Sequence, residues 1–162
     1  MKILYSGNLS RGEGGPAQSM YWNAKGLMAS GVDCRIVSLP PKGNDTLLGN
    51  DVPVALFPQV FGKLCYCPRA RKFLRSLELP DVAHIQGLWR YTDHAVASFC
   101  RSRKIPYVIS LRGMLYPQAY RNGAHCVKKL VMALWQRADL NGAACIHATC
   151  REEAEYFRGL GF

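Results

Sequence analysis

Short apolar runs alternate along this chain with longer stretches in which apolar residues recur every three or four positions. Ile3-Leu4-Tyr5 is the first run; it leads through a glycine-rich loop into a stripe at Ala17, Met20, Tyr21, Ala24, Leu27 and Met28. The run reads as a buried strand and the stripe as an amphipathic helix. The alternation continues with strands near 34–38 and 54–57, a helix over about 69–77, and a strand at Val82-Ala83-His84-Ile85-Gln86. A helix near 92–103 follows, with Ala95, Val96, Phe99 and Cys100 on one face, and then a strand over 106–111. The spacing of Val127, Leu130, Val131, Leu134 and Ala138 predicts one helix over 124–138, before a last strand at 144–148. Thr149-x-x-Glu152 has the form of a capping box opening a final helix that reaches Arg158. Apolar strands separated by helices belong to a parallel sheet covered on both faces. The expected fold is one α/β domain, a Rossmann-like parallel sheet with helices on both faces.

Ligands of such sheets bind at the carboxyl ends of the strands. That rule selects the loops at 12–15, 87–91 and 112–117. In the first, Gly12, Gly14 and Gly15 permit close approach to the backbone, and Pro16 suits a first helical turn. The free N–H groups and the positive end of the helix dipole then face an anion. Gly12-x-Gly14-x-x-Ala17 matches the dinucleotide fingerprint in form only. Gly12 lies well beyond the end of the strand, and the nearest acid, Asp33, precedes the second strand instead of ending it. Glu13, the one acid of this loop, is a candidate base or hydroxyl-orienting group. Gln86, Trp89 and Arg90 are expected to reach the mouth, where an amide beside an aromatic ring suits a sugar. His84 reads as a strand histidine satisfied in the core. Arg112, at the end of a strand and before Gly113, suits bidentate binding of a phosphate or carboxylate. No serine–histidine–acid or cysteine–histidine set, no paired carboxylates and no metal cluster can be read from the spacing.

Composition narrows the class. The chain has 162 residues, 49% hydrophobic and 20% charged, as in an ordinary globular domain. It has no apolar run of about 18 residues, and its start lacks the pattern of a signal peptide. Seven cysteines, odd in number and scattered, predict free and mostly buried thiols in a reducing cytoplasm. Cys65-x-Cys67 lacks the usual zinc spacing. The net charge of +10 is unevenly placed. No acid lies between Asp93 and Asp139, a stretch holding Arg101, Arg103, Lys104, Arg112, Arg121, Lys128, Lys129 and Arg137. A second acid-free stretch holds Lys63, Arg69, Arg71, Lys72 and Arg75. Such a surface favours phosphates, anionic lipid headgroups or nucleic acid, or is simply a solvated basic face.

Five segments occur in a telling order: Met1-Lys2-Ile3-Leu4, Gly14-Gly15-Pro16, His84-Ile85-Gln86-Gly87-Leu88-Trp89, the segment 105–115 ending in Ser110-Leu111-Arg112-Gly113-Met114-Leu115, and His147-Ala148-Thr149-Cys150-Arg151-Glu152-Glu153. Together they resemble the N-terminal domain of a GT-B glycosyltransferase of the large retaining family 4. The resemblance implies transfer of a sugar from a nucleotide sugar to an acceptor hydroxyl with retention, in surface polysaccharide or lipopolysaccharide assembly. It implies that this domain holds the acceptor and that Gly14 and Gly15 lie beside the donor diphosphate. Arg112 stands where many members carry histidine, near the transferred sugar, and a positive group there stabilises a departing phosphate. The catalytic candidates are therefore Arg112 and Glu13, and the substrate-contact candidates are Gly14, Gly15, Gln86, Trp89, Arg90 and Tyr116. Lys128, Lys129 and Arg137, with Trp135, are the implied membrane-facing residues, giving a cytoplasmic protein peripheral at the inner face of the plasma membrane. A nucleotide-sugar co-substrate and a sugar or lipid-linked acceptor are expected, with no metal, no other cofactor and no nucleic acid. The family's second, nucleotide-binding domain has no counterpart in 1–162, so the isolated domain is expected to be inactive. The rival readings are a GT-B-type nucleotide-sugar epimerase and a non-enzymatic basic module for anionic lipid or nucleic acid.

Overall fold

Alternation within the first strand, β1 (Lys2–Ser6), sets up two cores. Ile3 and Tyr5 pack on one face of the sheet and Leu4 on the other, as the period of two requires. In this computed structural model, which describes residues 1–60 and 66–162, five further strands join β1: β2 (Asp33–Ser38), β3 (Val54–Leu56), β4 (Val82–Gln86), β5 (Tyr107–Ser110) and β6 (Cys145–His147). All pairings are parallel, in the order β3-β2-β1-β4-β5-β6. Lys63 and Cys65 lie outside the described residues.

Helix α1 (Gly15–Ala29) closes one face. It buries Ala17, Met20, Tyr21 and Ala24 against Ile3, Tyr5 and Ile36, with Pro16 in its first turn as expected. On the other face, α2 (Pro68–Ser76) and α3 (Tyr91–Arg103) pack on Leu4, Val37, Ala83, Ile85 and Ile109. The sequence expectation of an α/β parallel sheet with helices on both faces matches this architecture. Helix α1 sits over β1 and β2, and toward the sheet edge Cys145 and His147 of β6 are exposed.

Two expectations need correction. The helix expected over 124–138 is present but not uniform: a short α4 (Pro117–Arg121) precedes it, and α5 (His125–Val131), a five-residue π-helical turn (Met132–Gln136) and α6 (Arg137–Asn141) run on without a break. A wider turn shifts the side-chain phase, and here it turns the Gln136 amide inward, where Oε1 accepts the Trp89 N–H at 2.9 Å. The capping box is also displaced by one residue. The last helix, α7 (Arg151–Gly159), starts after Cys150, and Glu153, not Glu152, folds back onto Thr149. The thiols divide as well: Cys34, Cys67 and Cys100 are buried, whereas Cys126, Cys145 and Cys150 are exposed.

Candidate functional site

The strand order reverses direction between β1 and β4, and the crevice outside their carboxyl ends is where an open parallel sheet takes a ligand. A cavity of about 390 Å³ lies there, lined by Asn8, Glu13, Asp45, Trp89, Arg90 and Met114 among others. Its rim is built from the glycine loop. A short 3-10 turn at Arg11–Glu13 precedes α1, and the Asp45 carboxylate accepts the Gly12 N–H at 3.1 and 3.2 Å. A Cβ at Gly12 would stand 2.9 Å from Asp45 Oδ2, so the loop lies tight against that carboxylate. Gly14, at φ 67°, makes the sharp entry into α1, and nothing lies within 4 Å of where its Cβ or that of Gly15 would stand. Both are open to a ligand. The Glu13 carboxylate faces the cavity and accepts a hydrogen bond from Asn8 Nδ2 at 2.7 Å.

Trp89 and Arg90 reach the cavity as the sequence indicated. Trp89 holds a φ of 76°, unusual for a bulky residue, and its ring lies 5.5 Å from that of Tyr120. Arg90 is tied down: Nε donates to Asp93 Oδ2 at 2.8 Å and Nη2 to the Gln86 carbonyl at 2.5 Å. Burial raises the Asp93 carboxyl above its ordinary value, against the pull of Arg90 and the Ser6 hydroxyl.

Gln86 departs from expectation. It is only 2% exposed and does not line the cavity. Its Oε1 accepts from Arg112 Nε at 3.0 Å and Nη2 at 2.6 Å, and Nη2 also donates to Ser19 Oγ on α1 at 3.0 Å. Arg112 is therefore held across the start of α1 in a left-handed conformation, φ 55°. Burial lowers its pKa, while the Glu153 charge raises it. Glu153, 3% exposed, secures the turn below by accepting the N–H of Gly113 and both the N–H and the hydroxyl of Thr149. Tyr116 points away from the cavity, with its ring 5.4 Å from Tyr156 and its hydroxyl 3.8 Å from Cys150 Sγ.

Ser19, Gln136 and Glu153 escaped the sequence reading. Ser19 gives no signal. Gln136 falls on the polar side of the expected stripe and gives none either, whereas Glu153 stands one residue from the expected capping acid.

The basic segment is only partly free. Lys128 turns inward, its Nζ donating to the carbonyls of Ala119 at 2.6 Å and Asn122 at 2.8 Å. Trp135 packs on His94 at 5.2 Å with a buried Nε1 that has no partner among the described residues. Lys129 and Arg137 stay exposed, as do the neighbouring Leu130 and Leu134.

Behind Gln86, His84 Nε2 lies 2.8 Å from Ser110 Oγ, which lies 2.8 Å from His147 Nδ1. Burial first, then His147 and Arg112, lower His84 from 6.5 to about 4. Its neutral form is the one the fold stabilises. The unfolded chain therefore takes up this proton near pH 6.5 and the native chain only near 4. Stability from this group is complete above pH 6.5 and falls as pH drops from there toward 4, by at most about 3 kcal/mol. Urea midpoints measured at pH 7 and pH 4.5 should fall further in the natural chain than in His84→Gln; equal falls would remove His84 as the cause.

No helix among the described residues is long and apolar enough to cross a membrane, and no group of three or more histidine, cysteine or acidic residues among them is placed to hold a metal ion. No curated protein matches the chain. A family model described as a glycosyl transferase 4-like domain matches residues 14–162, from the glycine loop through β6 and α7. That span contains five of the six described strands; β1 and the loop that carries Asn8, Gly12 and Glu13 of the cavity rim precede it, and the chain belongs to the glycosyl transferase 4-like domain family.

Proposed function

We propose that this domain is the acceptor-side half of a retaining glycosyltransferase that moves a sugar from a nucleotide sugar to an acceptor hydroxyl in surface polysaccharide or lipopolysaccharide assembly. The observation that carries the reading is the position of Arg112. It reaches from the end of β5, past Gln86 of β4, to Ser19 of α1, one turn in from the open Gly14–Gly15 entry to that helix. A guanidinium has five N–H donors. The Nε donor and both Nη2 donors serve Gln86 and Ser19, and the Nη1 pair, without a partner among the described residues, is offered to a ligand.

In the reaction the acceptor oxygen forms a bond to the anomeric carbon, and the bond from that carbon to the phosphate oxygen breaks. The nucleoside diphosphate leaves with the electron pair, and the acceptor proton passes to the leaving oxygen. Arg112 and the first turn of α1 offer N–H groups to that developing charge. The Trp89 ring and the Glu13 carboxylate line the cavity that would take the acceptor, the ring against a sugar face and the carboxylate toward a hydroxyl. The nucleotide itself falls to a second domain.

The test is transfer of labelled sugar from a panel of nucleotide sugars, run with residues 1–162 alone and with the same residues joined to a nucleotide-binding domain. Transfer only in the joined protein is expected. Turnover by 1–162 alone would overturn the division of labour, and none in either would remove the glycosyltransferase reading.

Lys129, Arg137, Leu130 and Leu134 form an exposed basic and apolar strip, which supports docking on anionic lipid at the inner membrane face. Co-sedimentation with anionic vesicles should fall as salt rises, because the attraction is screened. Equal sedimentation with neutral vesicles would count against docking. Lys128 is outside this strip, since its ammonium already serves two carbonyls.

A further inference from the structure

We propose that Gln86 is a positioning residue that aims Arg112, and that it does so because a neutral His84 fixes which way its amide faces. The inference rests on the role given to Arg112 above. A guanidinium only donates hydrogen bonds. The Gln86 atom against Arg112 must therefore be the carbonyl oxygen, which the two contacts at 3.0 and 2.6 Å identify as Oε1. The amide nitrogen then faces the other way, against the His84 ring, 3.1 Å from Nε2 and 3.4 Å from Nδ1. An amide nitrogen also only donates, so one ring nitrogen of His84 must carry a lone pair, which a doubly protonated ring does not have.

The rest of the chain follows from this. Ser110 has one hydroxyl proton. A neutral imidazole has one lone pair and one N–H, so with the amide on Nδ1 the Nε2–H donates to Ser110 Oγ at 2.8 Å and the Ser110 hydroxyl donates to His147 Nδ1 at 2.8 Å. Donors run one way, Arg112 to Gln86 to His84 to Ser110 to His147. A second proton, on His84 Nδ1, would face the amide N–H, and turning the amide to relieve the clash would put its nitrogen toward Arg112. Both anchoring contacts would then be lost.

The surroundings keep this from happening. The charged or chargeable groups acting on His84 are Arg112 and His147, and both oppose a second positive charge. Tyr5 packs 5.5 Å from the ring. A neutral amide also leaves the Arg112 charge intact for a ligand, where a carboxylate in its place would cancel it.

The primary experiment reads Arg112 itself, by hydrogen exchange of its Nε–H in nitrogen-15 NMR of the whole chain. In the natural chain this proton should exchange at least about tenfold more slowly than that of exposed Arg103, and Gln86→Leu should abolish the protection. The second variant, Gln86→Glu, keeps an acceptor for Arg112 but removes the donor to His84. It should raise the His84 pKa by about one unit or more, read from imidazole carbon shifts, with Arg112 still protected. A glutamine that only filled space would change the melting temperature in both variants and neither of these signals. Unprotected Arg112 in the natural chain, or protection that survives Gln86→Leu, overturns the proposal.

Inorganic pyrophosphate, titrated into the natural chain and Gln86→Leu, reads the role of Arg112 separately. Binding weakened about tenfold in the variant is expected. No binding to the natural chain, with Arg112 protected, would remove the phosphate role and leave the anchoring intact.

Discussion

Asp139→Ala should cost this domain about 3–5 kcal/mol, measured as a fall in the urea midpoint at constant slope. Asp139 is 2% exposed and holds Arg101 Nη1 at 2.6 Å and His94 Nδ1 at 3.0 Å. Alanine leaves a guanidinium and an imidazole facing a buried gap, which is the costly way to break such a pair. Arg101 keeps 31% of its side chain in water, so partial rehydration puts the loss toward the lower end of the range. The ties through this residue bind α3 to α6, and its backbone carbonyl accepts the Tyr107 hydroxyl of β5 at 2.7 Å. They also fix the end of the π-helical turn that delivers Gln136 to Trp89. Asp139→Leu combined with Arg101→Met should recover most of the loss, because two apolar groups strand no charge. A loss under about 1 kcal/mol for Asp139→Ala would show that the pair behaves as a solvated one.

The fold was legible in the sequence because its signals are local. β1, α1, β4 and α3 each announce themselves by the period of their apolar residues, and the parallel order follows from their alternation. The 124–138 segment misled in which face it buries: the π-helical turn shifts the phase, so Leu130, Leu134 and Ala138 of the expected stripe are exposed while Gln136 is buried. The crevice was legible for the same reason as the fold: the carboxyl ends of β1, β4 and β5 are fixed once the strands are.

What each residue does there was less legible. Gln86 and Trp89 lie three residues apart at one strand end, yet one is buried as an anchor and the other opens onto the cavity. That difference depends on Arg112, 26 residues away in sequence. Ser19 and Glu153 enter the site only through contacts that span 93 and 40 residues. Lys128 likewise reads as a free surface charge until α4 supplies carbonyls for it.

Removal of the Arg112 side chain should lower kcat of the transferring enzyme by about 10²–10³-fold, the size usual for losing one preorganised donor to developing charge. The acceptor KM should move little, since Arg112 does not line the cavity. Choice of replacement matters, because residue 112 has a φ of 55°. Alanine keeps the left-handed strain of about 1–2 kcal/mol that arginine already bears, but without the contacts to Gln86 and Ser19 that hold the residue there. Arg112→Asn is the cleaner variant, since asparagine tolerates the left-handed region; an unchanged melting temperature with the same fall in kcat would assign the loss to the guanidinium. Lysine should recover little. It brings a charge but no planar fork, so it cannot engage Gln86 and Ser19 while presenting donors outward. If Arg112→Asn keeps kcat within about threefold of the natural enzyme, the developing charge is met elsewhere. The start of α1, with Gly14 and Gly15 open beside it, would then be the group to test next.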